Sequence, residues 1–263
     1  MIAWLAAAAG LAGLGLSARY HWWRPRQAGI PVLMYHQITA DLAGTPLPKL
    51  RVGPERFAAQ LDALARRGYR TLTLAQAVAA QKAGDDSPAV VLTFDDGFLD
   101  FYTQAWPLLR ERGLVATVFL VTGLIGQENR WDWEKGLPHE TLMDAAQIRE
   151  LAAAGIEFGG HTHSHVDLTR LDDAALAAEL AQCQATLRDL LGAPAPSFSY
   201  PFGLHDPRVA QAAAAAGFSL ACSTRPGHLG PSTNPLAIPR IMIKRSDDPL
   251  DFALKLTRAR SRW

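Results

Sequence analysis

At 263 residues the chain is long enough for one large α/β domain with a substantial core. Lys and Arg total 26 against 25 Asp and Glu, a formal net charge of +1 that gives no electrostatic basis for a nucleic-acid partner. Two cysteines, Cys183 and Cys222, form neither a disulfide framework nor a CxxC pair, and lone buried thiols are the expectation.

The first 18 residues, "MIAWLAAAAGLAGLGLSA", carry no charged side chain, and "RYHWWRPR" follows. As a helix such a run spans roughly 25 Å, short but sufficient for a bilayer, with Trp22 and Trp23 at the interface. An uncleaved anchor fits better than a signal peptide, because no basic n-region precedes the apolar run. Residues 1–28 are thus assigned to an N-terminal membrane anchor or signal segment and 29–263 to a catalytic domain. The basic flank after the segment favours a cytoplasmic domain by the positive-inside rule.

From Pro31 onward short apolar runs alternate with Ala/Leu-rich amphipathic stretches. "PVLMYH" reads as a strand. "PERFAAQLDALARRGY" reads as a helix, with Phe57, Leu61 and Leu64 at helical spacing and Gly68 as its stop. "AVVLTF" has the continuous β-branched character of a strand buried on both faces. A helix over "FYTQAWPLLRERG" is interrupted or kinked near Pro107. "ATVFLV", a helix over "DAAQIRELAAAG", "IEFGGH" and a long helix over "DDAALAAELAQCQATLRDLLG" continue the series. "SFSYPFG", a helix over "DPRVAQAAAAAG", "FSLACS" and "IPRIMIK" complete it. Such strand–helix units imply a mostly parallel sheet with helices outside, either open or closed into a barrel. "GQENRWDWEKGLPHETLM" reads as a long polar and aromatic loop over one face.

Ligand sites of parallel α/β folds lie at the C-terminal strand ends, and polar clusters gather there. His36 ends the first run. Asp95 and Asp96 follow "VVLTF". His161, His163 and His165 follow "IEFGG". Singly, each has an ordinary reading, such as a capping histidine, a turn or helix N-cap, or a solvated loop. Their recurrence at one end of successive strands favours a shared site. Two imidazoles and a carboxylate make a first shell for Zn²⁺. A second carboxylate suits a general base, and a further histidine a general acid. The residues alone do not choose which Asp binds the ion, or which two of the three histidines. Two imidazoles and a carboxylate would also suit a non-haem iron enzyme.

"TFDDG" followed by "HTHSH", an H-[ST]-x-x-H pattern, resembles the polysaccharide deacetylases, the NodB-homology group known as carbohydrate esterase family 4. The resemblance runs from about Pro31 to about Asp251. It implies a distorted (β/α) barrel and removal of N-acetyl groups from amino sugars with a divalent metal, Zn²⁺ first and Co²⁺ or Ni²⁺ as alternatives. By the same match Asp95 is the base, and Asp96, His161 and His165 are metal ligands, leaving His163 a supporting role. The family's Arg-x-Pro-Tyr stretch corresponds to Ser199-Tyr200-Pro201-Phe202. The arginine that orients the base is therefore expected to be missing, while the Phe202 N–H can still stabilise an oxyanion. Tyr200 and Pro201 become candidate substrate-binding residues.

The family's late Leu-x-x-His is missing too, and "PVLMYH" stands at the front. Both departures resemble the subgroup acting on poly-β-1,6-N-acetylglucosamine, a circularly permuted barrel whose acid histidine is N-terminal; here that is His36. The resemblance also implies an N-acetylated glycan partner, a monomer, and a periplasmic catalytic domain, against the flanking charge. A membrane-tethered glycan-binding pseudoenzyme of the same fold is the alternative reading. Trp131 and Trp133 are candidate sugar-stacking platforms or a plug packing their loop down. Asp132 stands between them, and nothing in the sequence singles it out.

Overall fold

The computed structural model describes residues 23–136 and 138–259. Its strands are β1 (Ile30–Tyr35), β2 (Gln37–Ile38), β3 (Arg51–Val52), β4 (Arg70–Leu72), β5 (Ala89–Phe94), β6 (Thr117–Leu120), β7 (Glu157–Gly160), β8 (Ser197–Ser199), β9 (Leu220–Cys222), β10 (His228–Leu229) and β11 (Ile241–Met242). Its α-helices are α1 (Pro54–Arg66), α2 (Leu74–Lys82), α3 (Trp106–Glu111), α4 (Ala145–Ala153), α5 (Asp173–Leu191), α6 (Pro207–Ala215) and α7 (Pro249–Arg258).

The main sheet runs β10-β1-β5-β6-β7-β8-β9, with β11 beside β1 and β4 beside the start of β5. Every pairing in it is parallel except β1 with β10. A parallel bridge from Cys222 to Ile238 brings the approach to β11 back against β9, curling the sheet into an incomplete barrel. First strand and last strand are thus neighbours, which a circularly permuted barrel requires.

Strand alternation divides the core. Leu33, Tyr35, Val90, Leu92 and Phe94 face the helices, where Tyr35, Phe57, Phe94 and Phe101 form a ring cluster with centroids 4.8–5.8 Å apart. Val32, Val91, Phe119 and Cys222 form the second cluster, on the barrel side of the sheet. β5 is buried at all six positions, as its apolar continuity predicts.

The helix signals hold in their physical terms. Pro54 opens α1, and Gly68 follows its end at φ 72°. Asp144 and Gln147 form a reciprocal capping box on α4. The irregularity before Pro107 is a π-helical stretch, Phe101–Ala105, running into α3. The long polar loop contains a 3-10 stretch, Arg130–Lys135, pinned by bridges Phe98–Leu142 and Glu128–Thr141. Cys183 and Cys222 are buried and unpaired, and burial pushes each thiol's pKa up to about 12. Among the described residues no helix is long and apolar enough to cross a membrane. The anchor expectation, apart from Trp23 and its flank, lies outside the described residues.

Candidate metal and catalytic centre

The two adjacent aspartates point to different places, for a backbone reason. Alternation along β5 sends Thr93 and Asp95 to the barrel side, with Val91. Asp96 then adopts φ 77°, and Gly97 φ 80°, which ends the strand geometry and turns the second carboxylate away. Thr162 (φ 67°), His165 (φ 61°) and Phe202 (φ 59°) share that left-handed conformation. Four of the five described non-glycine residues with positive φ therefore lie at this one strand-end region. Each costs about 1 kcal/mol or more, strain of the kind that collects at functional sites.

Asp96 Oδ1 stands 3.4 Å from His161 Nε2 and 3.3 Å from His165 Nε2. All three residues are buried, and among the described residues theirs is the one group placed to hold a metal ion. Donors about 2.1 Å from a tetrahedral ion sit roughly 3.4 Å from one another. Asp96 Oδ1 has no hydrogen-bond partner, so these approaches are not hydrogen bonds in geometry. A buried, orphaned carboxylate oxygen between two imidazole nitrogens is the environment a divalent cation satisfies. Burial raises the Asp96 pKa, but the two imidazoles outweigh it and hold the carboxyl well below the usual range.

Backbone contacts preset the candidate ligands. His161 Nδ1 lies 2.6 Å from the Ser199 carbonyl oxygen, which can only accept, so Nδ1 carries the hydrogen and Nε2 presents its lone pair. Thr162 Oγ1 accepts from His165 N at 2.8 Å and closes the turn between the ligands. The Trp131 ring stacks on His165 with centroids 4.5 Å apart and also meets Phe98. His163 stays outside the group; its Nδ1 is 3.3 Å from Thr122 Oγ1, and its backbone carbonyl accepts from Gly123. A side chain at Gly123 would come within 2.6 Å of that carbonyl.

Asp95 does not lack an arginine. Arg240, completely buried, grips it at two points, Nη1 to Oδ1 at 2.6 Å and Nη2 to Oδ2 at 2.8 Å. The guanidinium also donates to Ser199 Oγ, Thr93 Oγ1 and the Ser223 carbonyl. The serine at the family's arginine position therefore touches an arginine that arrives from the approach to β11. Burial pushes the Asp95 pKa up, and Arg240, then His161 and His36, pull it below its ordinary value.

His36 follows β1 and lines an open cleft together with Asp96. Phe202 is 51% exposed, and its ring stands 5.1 Å from that of His165. Three other candidates from the sequence have their side chains placed elsewhere. The Tyr200 side chain is fully buried, its hydroxyl donating to the Leu236 carbonyl and its ring stacked on His205, so it presents no side chain to the cleft. Pro201 is buried as the start of the turn that carries Phe202. Trp133 stacks on His139 at 4.2 Å, with the Arg130 guanidinium 5.9 Å from its ring, and does not touch the ligand group.

A family model for polysaccharide deacetylases matches residues 82–221, which hold Asp95, Asp96 and the three histidines. The chain belongs to the polysaccharide deacetylase family. Its reaction is accordingly hydrolysis of an amide, the removal of acetyl groups from an N-acetylated polysaccharide. The chain is 28% identical over 220 residues to YxkH of Bacillus subtilis (strain 168), named provisionally as a polysaccharide deacetylase, covering 83% of this chain and 72% of that protein. It is 25% identical over 214 residues to a poly-β-1,6-N-acetyl-D-glucosamine N-deacetylase of Staphylococcus aureus (strain MRSA252), covering 78% and 71%. The structure of the Streptococcus pyogenes deacetylase PplD with acetate superposes with a TM-score of 0.75 at 26% identity, over 88% of this chain and 99% of that one. Family deacetylases depend on a metal, and the Asp96–His161–His165 group fits one.

Proposed function

We propose that this deacetylase acts on N-acetylglucosamine residues of an exported poly-β-1,6-linked glycan, releasing acetate and leaving free amines. The observation that carries the reading is the pairing of Asp95, gripped by Arg240, with the Asp96–His161–His165 group one residue away. The named activity of the S. aureus relative supports the choice of glycan.

Zn²⁺ is the proposed ion, since two imidazoles and a carboxylate are a hydrolytic zinc ligand set. When bound, it supplies a Lewis acid that polarises the acetyl carbonyl and acidifies water. The protein's own groups do the rest. Asp95 accepts a proton from the attacking water, and Arg240 keeps its carboxylate ionised and aimed. The Phe202 N–H donates to the developing oxyanion. His36 gives a proton to the departing nitrogen as the C–N bond breaks, so the products are acetate and an amine.

The remaining reading concerns the membrane. Gln27 N donates to Thr257 O at 2.9 Å, three residues ahead of β1, whereas His36 stands at the far end of that strand. Residues 1–28 acting as an anchor would enter at the end opposite the cleft, which favours an extended polymer over a lipid-linked sugar in the bilayer plane. An exported polymer puts the domain on the outer side, against the basic flank, and protease accessibility on spheroplasts tests that. The function itself is tested by acetate release from β-1,6-linked N-acetylglucosamine oligomers by zinc-loaded protein. Tight binding without turnover would replace deacetylation with the glycan-binding alternative.

A further inference from the structure

His36 stands at a joint in the chain. It belongs neither to β1, which ends at Tyr35 in the main sheet, nor to β2, which starts at Gln37 and pairs with β3 in a separate two-stranded sheet. On the β1 side the joint is tied to the strand of the proposed base, for Asp95 N donates to the Tyr35 carbonyl at 3.1 Å. Among the described residues none forms a hydrogen bond with the His36 ring. The backbone on either side therefore sets where the imidazole enters the cleft that Asp96 also lines.

The β2 side depends on one arginine. β2 and β3 share only two residue pairs, Gln37 with Arg51 and Ile38 with Val52, and a strand pair that short is marginal without other support. Ile38 and Val52 anchor its far end in the core. Arg51, 3% exposed, ties the end beside His36. Its Nε donates to Gln37 Oε1 at 2.9 Å, and its Nη1 to the Asp41 carbonyl at 3.0 Å. Its Nη2 pairs with Glu140, which belongs to the long loop. Glu140 N donates to Asn129 Oδ1 at 2.7 Å, and Asn129 N returns a bond to the Glu140 carbonyl at 3.1 Å. Two residues past Asn129 comes Trp131, stacked on His165. One buried guanidinium thus spans from the residue after His36 to the loop that covers a candidate metal ligand.

We propose that Arg51 is a positioning residue, which holds the joint carrying His36 so that the imidazole meets the departing nitrogen. The proposal rests on the deacetylase reading with His36 as acid, and adds the group that places it. Misplacement of a reacting group by about 1 Å can cost about 10²-fold in rate. An amine leaves only with a proton, whereas p-nitrophenolate leaves as a stable anion. Loss of the acid's position should therefore slow amide cleavage and spare an activated ester.

The test uses the zinc-loaded full chain as wild type, Arg51→Gln, Gln37→Met, His36→Ala and the Arg51→Gln/His36→Ala double variant. Acetate release is followed from a β-1,6-linked N-acetylglucosamine tetramer, and nitrophenolate release from p-nitrophenyl acetate. Arg51→Gln and Gln37→Met are expected to lower kcat on the tetramer about tenfold or more, with KM and zinc content little changed and ester hydrolysis within about twofold. The double variant should fall no more than about twofold below His36→Ala. Equal losses on tetramer and ester, or losses that multiply in the double variant, would overturn the proposal and make Arg51 a support of the fold alone. If Arg51→Gln does not fold, Gln37→Met decides, because it leaves the guanidinium paired with Glu140. A His36→Ala protein that keeps the wild-type ratio of amide to ester hydrolysis would remove His36 as the acid, and the proposal with it. A selective loss in His36→Ala beside undiminished tetramer cleavage in both Arg51→Gln and Gln37→Met would overturn the proposal and leave the acid in place.

Discussion

Arg240 and Asp95, 145 residues apart, form a fully buried two-point ion pair whose guanidinium also bonds the serine standing where the family pattern places its arginine. Asp95, the proposed base, is thus oriented by a side chain from the approach to β11. Arg240→Lys keeps a charge and loses the fork. It is expected to lower kcat at least about tenfold with zinc retained and KM little changed, read by acetate release. Arg240→Ala leaves a buried carboxylate unpaired and is expected to cost about 3–5 kcal/mol in denaturant unfolding.

The ligand assignment has its own signature. Asp96→Ala, His161→Ala and His165→Ala should each lose stoichiometric zinc and fall to background deacetylation. Full activity in any of them after chelation and zinc replacement would remove that residue from the ligand set.

The motifs that were legible are those whose residues are close in sequence. "TFDDG" and "HTHSH" each put several site groups into five residues at one strand end, and the left-handed turn at Asp96 then sends the two carboxylates apart. Arg240 was missed because its partner is met only through sheet order, β11 beside β1 beside β5. A signal was present: a lone arginine inside the apolar run "AIPRIMI" must find a partner when buried. The Tyr200 side chain shows the converse. Motif position carried it, but its strand turns the ring into the core, where its hydroxyl is already bonded to Leu236.

Trp131 and Trp133 should separate in function. Trp131→Ala uncovers His165 and removes a wall of the site, and is expected to lower kcat/KM on short oligomers about tenfold. Trp133 is stacked on His139 instead, and Trp133→Ala is expected to stay within about twofold on the same substrates.

Asp100 gives the pH prediction. Both its carboxylate oxygens are shut from solvent without a hydrogen-bond partner. Burial first, and the Glu140 charge further, push its pKa up to about 8. The Ile38 and Phe101 N–H groups pull it down by less and lie outside good hydrogen-bond geometry. Unfolded, the group ionises near its ordinary value of 3.8, so between that value and about 8 the unfolded state holds fewer protons and stability falls as pH rises. Asp100→Asn should therefore raise stability at pH 7 by ~2 kcal/mol or more and flatten the pH 5–8 profile in denaturant melts. An unchanged profile would show that Asp100 ionises normally in the fold.

The central claim is that Asp96, His161 and His165 hold one divalent ion for amide hydrolysis with Asp95 as base. Its most direct test is to strip the protein with chelator, return zinc in steps, and follow acetate release from the β-1,6-linked oligomer against bound zinc. The account predicts no release from the stripped protein and full recovery at one ion per chain. Undiminished release after stripping, or recovery in the Asp96→Ala protein, would contradict it.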